Sequence, residues 1–298
     1  MSAHPLSITT TQAADLFRRE PDRYLSVGGG GEVAYRKIGS GPDVLFVHGW
    51  PVSSATFRTL LPYLADHVTC HLIDLPGAGS SRYTSDTPLS IENHIASVRA
   101  VVDQLQLDRI AVIGHDSGGL IARHALAGDV RLRALGLIDT EQTSGPSWRF
   151  RTFLAGRHLP GYGAGLGWIV GHRRLRRSGL ILGGAFRDPS LLDGEFDEFF
   201  LQPLHRSPEH RSATVKLLRS FDYQMIRDLP MLHQRIDVPV QLVWGADDPF
   251  FPVRWAHDMV TTFPNARLEV IGDAALFVHE ERPADVARAL LPILAEPA

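Results

Sequence analysis

The chain has little sulfur. One cysteine and four methionines occur in 298 residues. A single Cys70 excludes an intrachain disulfide and a Cys-rich metal site, and it fits a reducing compartment. Charge of one sign is also scarce: the formal net charge is −3, which gives no electrostatic reason to expect nucleic acid. No apolar run is long enough to cross a bilayer. Residues Met1 to Thr11 lack a basic segment followed by an apolar core, so no secretory signal is expected. No fixed-period repeat is evident, and the histidines show no metal-ligand spacing, so neither a metal nor a cofactor is implied. These absences lead to the expectation of a cytoplasmic protein, with no membrane or nucleic-acid partner. Homodimer formation stays open. Hydrophobic residues at 44% and charged residues at 21% suit a globular chain.

Short apolar runs alternate with helical patterns, which predicts an α/β fold with a mainly parallel sheet flanked by helices. Glu32–Arg36 alternates like an edge strand. Buried strands are expected at 44–47, 70–73, 110–113, 134–138, 240–244 and 268–271. Helices fit 54–65, 90–106, 117–128, 253–263 and 283–295, after a short amphipathic one from Thr11 to Glu20. Ser90 with Asn93 reads as a helix start, and Pro283 suits a first turn. Residues 141–230 break the rhythm and read as an inserted helical cap, leaving 1–140 and 231–298 as the core. Within the insert, Gly161–Gly167 does not fit a dinucleotide fingerprint and is expected to be a flexible connection. His172–Arg177 is expected to be a solvated helix face.

Gly114-His115-Asp116-Ser117-Gly118-Gly119 directly follows the run 110–113. Strand, tight turn and helix in that order form a nucleophile elbow, which needs small residues two before and two after its nucleophile. Glycines flank Asp116 at those positions. A serine elbow centred on Ser117 would instead put His115 in a glycine position. A carboxylate is ionised at neutral pH and attacks carbon without a base removing a proton first. That chemistry suits an epoxide or alkyl halide, which would form an ester that water then hydrolyses. His48-Gly49-Trp50-Pro51 follows the strand at 44–47, so backbone N–H groups of Trp50 and Ser117 are the candidate oxyanion donors. Trp50–Pro51 is a candidate cis peptide.

With Gly245-Ala246-Asp247-Asp248-Pro249 added, the chain resembles the α/β-hydrolase superfamily, in its epoxide hydrolase and haloalkane dehalogenase branch with an aspartate nucleophile. The likeness runs from about residue 30 to the end. It implies Asp248 as the acid that orients a histidine, with Asp139 as the alternative position. It also implies a histidine in a Gly-His-Phe-x-x-x-Glu-x-x-Pro pattern after the last strand. Here Ala274 to Pro283 puts Leu276 in that register, beside Phe277. His279, three residues on, is the remaining candidate base. Attack by Asp116 needs no base, but hydrolysis of the ester does. Ser117 stands where dehalogenases typically carry a halide-binding tryptophan. Tyr223 and Tyr162 are the cap candidates for protonating an opened epoxide. His48, Tyr162, Leu276 and Phe277 are expected to line the substrate site. The resemblance implies an epoxide-hydrolase-like enzyme for a small or medium apolar substrate. A lyase, isomerase or cyclase using Asp116 as a base, or a silent binding protein, are the alternatives that Leu276 raises.

Overall fold

The computed structural model describes residues 8–295; the first seven residues, on which most of the leader reading rests, lie outside it. Eight strands form one sheet: β1 (Arg23–Val27), β2 (Gly31–Gly39), β3 (Asp43–Val47), β4 (Thr69–Asp74), β5 (Ile110–His115), β6 (Leu132–Ile138), β7 (Val240–Gly245) and β8 (Ala266–Ile271). Their spatial order is β1-β2-β4-β3-β5-β6-β7-β8, antiparallel at the β1 end and parallel from β4 onward. This is the α/β-hydrolase architecture expected from the sequence. Every strand position predicted from the apolar runs is found, but two expected settings are corrected: β2 is no edge strand, because it pairs with both β1 and β4, and β8, expected to be buried, is the far edge strand with Ile271 alone buried. β1 was not expected: its one buried side chain, Leu25, is too weak a pattern to read, and the strand is held by antiparallel pairing with β2.

Alternate residues of the parallel strands feed two different cores. Leu45, Val47, Val112, Leu135 and Leu137 pack into one, while Val44, Phe46, Ala111, Ile113 and Ile138 pack into the other. Both faces are therefore covered, as a parallel sheet requires. Cys70 of β4 is fully buried in the second core, where burial pushes its thiol up to about 12. Ser90 caps the helix Ile91–Gln104 by accepting the Asn93 N–H at 3.2 Å, and Pro283 opens the helix Pro283–Leu294.

Between β6 and β7 the chain carries helices at Trp148–Ala155, Tyr162–Gly171, Arg173–Arg176, Gln202–Arg206, Pro208–Arg219 and Tyr223–His233. Two expectations are corrected there. The glycine-rich run is helical from Tyr162 onward despite its poor helix propensity; within it, Gly167 packs against the Arg211 side chain. The arginine cluster is not simply solvated. Arg173, Arg176 and Arg177 converge on Asp193, and Arg176 also reaches Asp197 at 2.5 Å. The helical segment is tied to the core by Trp50 Nε1–H donating to the Thr214 carbonyl (2.9 Å), Ser147 Oγ–H to Phe250 (2.7 Å) and Phe277 N–H to Ala185 (3.3 Å). Among the described residues, no helix is long and apolar enough to cross a membrane.

Candidate active site

The parallel register carries the C-terminal ends of β3, β5, β6 and β7 to one sheet edge, where ligands of open α/β sheets bind. Asp116 follows β5 directly and precedes the helix Ser117–Leu126. Its backbone has φ 50° and ψ −134°, a sparsely populated conformation for a non-glycine residue. The turn is held by Asp116 N–H donating to Asp139 O (3.0 Å) and by Gly119 N–H donating to Asp116 O (2.9 Å). A side chain at Gly118 would strike the carbonyl oxygens of Val47 and His48, so glycine is required for the helix to approach β3.

This geometry presents the Asp116 carboxyl to two backbone donors. Trp50 N–H donates to Oδ2 at 2.8 Å, and the Ser117 N–H also bonds the carboxyl. Trp50–Pro51 is cis. Asp116 sits on the wall of a cavity of about 80 Å³, room for a few waters or a small organic molecule. The wall is otherwise apolar: Phe150, Phe153, Leu154, Leu217 and Phe221 from the helical segment face Trp50, Leu276 and Phe277 from the core. Among the described residues, Asp116, Ser117 and Glu141 bring charged or hydroxyl side chains to it. Burial pushes Asp116 well above the usual carboxylate range. The nearby Glu141 charge adds to that rise, and the Ser117 and Trp50 N–H groups oppose it.

Glu141 was not anticipated. It follows β6 by three residues and is almost fully buried. The Thr140 hydroxyl lies 2.8 Å from the Asp116 carbonyl and 3.0 Å from Glu141 Oε2, and accepts Arg123 Nη2–H at 2.9 Å. Arg123 is fully buried and also donates from Nη2 to the Glu141 carbonyl at 2.9 Å. Burial raises the Glu141 pKa, and the Arg123 charge is the main opposing influence. A signal for Glu141 was present in the sequence. An arginine in the apolar segment Leu120-Ile121-Ala122-Arg123 needs a buried acceptor.

Asp139 and Asp248 are not on the cavity wall. Asp139 Oδ1 accepts Gly245 N–H at 2.9 Å, and the Val278 N–H also bonds its carboxyl. Asp248 Oδ1 accepts the N–H groups of Phe250 (2.7 Å) and Phe251 (3.1 Å). The two carboxyls interact, and Oδ2 of each is buried without a donor of good geometry. Burial pushes Asp248 up to about 7 and Asp139 well above its usual range.

Four residues expected in the site lie elsewhere. His279 is fully buried, with Nε2 sharing a 2.7 Å hydrogen bond with the Thr56 hydroxyl and its ring 4.3 Å from that of His115. The register is the physical reason: Leu276 takes the cavity wall, and the short helix Val278–Glu281 turns His279 toward the opposite core. His48 instead braces the loops, donating from Nδ1 to Gly49 O (2.9 Å) and accepting Leu75 N–H on Nε2 (2.9 Å). Tyr162 packs its ring beside Gly156. Tyr223 faces a separate groove with Pro146 and Arg227. Neither phenol is on the cavity wall.

The Alpha/beta hydrolase family matches residues 44–289. The chain belongs to that family. It is 25% identical over 240 residues to the uncharacterized hydrolase YugF of Bacillus subtilis (strain 168), covering 80% of this chain and 84% of that one. Over 101 residues it is 37% identical to a pimeloyl-[acyl-carrier protein] methyl ester esterase of Xanthomonas campestris pv. campestris (strain B100), covering 34% of this chain and 38% of the relative. Among solved structures it resembles an alpha/beta hydrolase fold protein from Burkholderia ambifaria (TM-score 0.74, 24% identity, 91% and 99% of the two chains). It also resembles a putative ancestral haloalkane dehalogenase (TM-score 0.76, 22% identity, 92% and 98%).

Proposed function

We propose that this hydrolase opens a small apolar epoxide through a covalent ester on Asp116. The observation that carries the reading is the Asp116 carboxyl on an apolar cavity wall, facing the N–H groups of Trp50 and Ser117. One Asp116 oxygen attacks an epoxide carbon, the C–O bond opens, and the product is a hydroxyalkyl ester. When water adds to the ester carbonyl, the two N–H groups hold the oxyanion.

Epoxides fit better than the substrates suggested by the relatives' names. An alkyl halide needs donors for the departing halide. Ser117 stands where the halide-binding indole would be, and the Trp50 indole N–H is already donated to Thr214. A carboxylic ester needs a serine with a base, and no histidine lines the cavity beside Ser117. Neither tyrosine reaches the wall, so the proton for the opened oxygen comes from another group there.

The test is an acid-quenched reaction with propylene oxide followed by mass analysis of the peptide holding Asp116. One epoxide mass on Asp116, absent from Asp116→Ala, is expected. Diol formation with no adduct on Asp116 at any time would overturn the reading. A second reading, in which Asp116 works as a base in an isomerisation, draws support from its raised pKa. It would give a product with no oxygen from water.

A further inference from the structure

We propose that Glu141 is the acid and the base of this site, filling on a carboxylate the role that Leu276 cannot. The inference rests on Asp116 being the nucleophile. It is carried by placement: Glu141 is the other ionisable side chain on the cavity wall, and Thr140 links its Oε2 to the Asp116 carbonyl. The charged groups facing Glu141 are Asp116 across the cavity and Arg123 from the helix behind it. They pull in opposite directions. Arg123 keeps the carboxylate accessible, while Asp116 and the apolar wall favour its protonated form. Two carboxyls in one apolar-walled cavity hold a single proton far more readily than none.

One shared proton closes the cycle. In the competent state Asp116 is ionised and Glu141 protonated. An Asp116 oxygen bonds to an epoxide carbon as the ring C–O bond breaks, and the alkoxide takes the Glu141 proton. This leaves a neutral hydroxyalkyl ester and a Glu141 carboxylate. Glu141 then removes a proton from water while the water oxygen bonds to the ester carbonyl carbon, giving an oxyanion on the Trp50 and Ser117 N–H groups. Collapse breaks the carbonyl C–O(alkyl) bond, and the leaving alkoxide regains the proton from Glu141. The diol departs, Asp116 carries one oxygen from water, and its carboxyl proton returns to Glu141. Epoxide plus water gives diol, with no further reactant.

The experiment loads the intact protein with propylene oxide, removes free epoxide, and follows the adduct on the Asp116 peptide by mass. In the wild type the adduct decays, faster as pH rises and Glu141 loses its proton. In Glu141→Gln it forms slowly and persists at least about a hundredfold longer, the scale of a lost general base, with a decay flat in pH. Equal decay in the two proteins, or a wild-type adduct that persists at every pH, overturns the role of Glu141 while leaving Asp116 as nucleophile. Diol without any Asp116 adduct in either protein overturns the nucleophile itself, and Glu141 with it. Should Glu141→Gln fail to fold by circular dichroism, the wild-type pH profile decides: decay that does not rise with pH counts against the proposal.

Discussion

The molecule holds two pairs of buried carboxyls within a few residues of the same strand ends, and they differ in what surrounds them. Asp116 and Glu141 face an apolar cavity, and each has hydrogen-bond donors behind it. Asp139 and Asp248 lie off the cavity wall, each with one oxygen held by backbone N–H groups and with their carboxyls against each other. The first pair can exchange protons with a substrate or a water. The second is off the cavity wall, where the two carboxyls meet each other.

The largest break in that comparison is Asp116→Ala. Turnover should fall on the order of 10⁴-fold or more, as for loss of a nucleophile in other hydrolases, while the far-ultraviolet circular dichroism stays native. Activity within tenfold of wild type would place the chemistry elsewhere.

The second pair should instead speak through stability. The native state holds the Asp248 proton up to about pH 7, and the unfolded chain releases it near 3.8. The native state binds more protons across that window, so stability falls as pH rises through it. Asp248→Asn removes this loss. It should melt several degrees higher than wild type at pH 8 and equally at pH 4, with turnover unchanged. A melting temperature lowered at pH 8 would show that the Asp248 charge is paired.

Joining the pairs sharpens the contrast. Adding Leu276→His to Glu141→Gln puts a base on the cavity wall, and adduct decay should partly recover. No recovery, with the histidine seen on the cavity wall, would mean that Asp139 and Asp248 cannot orient it.

The smallest effects on chemistry belong to residues off the wall. His279→Ala should cost about 2–4 kcal/mol of stability, from a cavity and an unpaired Thr56 hydroxyl, and leave adduct decay alone. Tyr162→Phe and Tyr223→Phe should change turnover less than about twofold. A larger fall for either phenol would give it the acid role assigned to Glu141.

The fold was legible because most strands are short, largely apolar runs bounded by turns, and the elbow because its glycines are dictated by close packing around one residue. Leu276 was legible for the same reason: Phe277 and Pro283 fix its register. Glu141 was only half legible: buried Arg123 signalled an acceptor nearby, but nothing in Asp139-Thr140-Glu141 says which carboxyl turns to the cavity. The two tyrosines were misplaced because helices of the insert set which aromatic rings face inward, and phenylalanines took those places.

The most direct test of covalent catalysis on Asp116 is a single turnover in heavy-oxygen water with enzyme in excess over propylene oxide. The account predicts that the label appears in the Asp116 peptide and that the first diol released is unlabelled, because its new oxygen comes from the carboxylate. Label in the first diol with Asp116 unlabelled would mean that water attacks the epoxide directly, and the ester would have no part in the reaction.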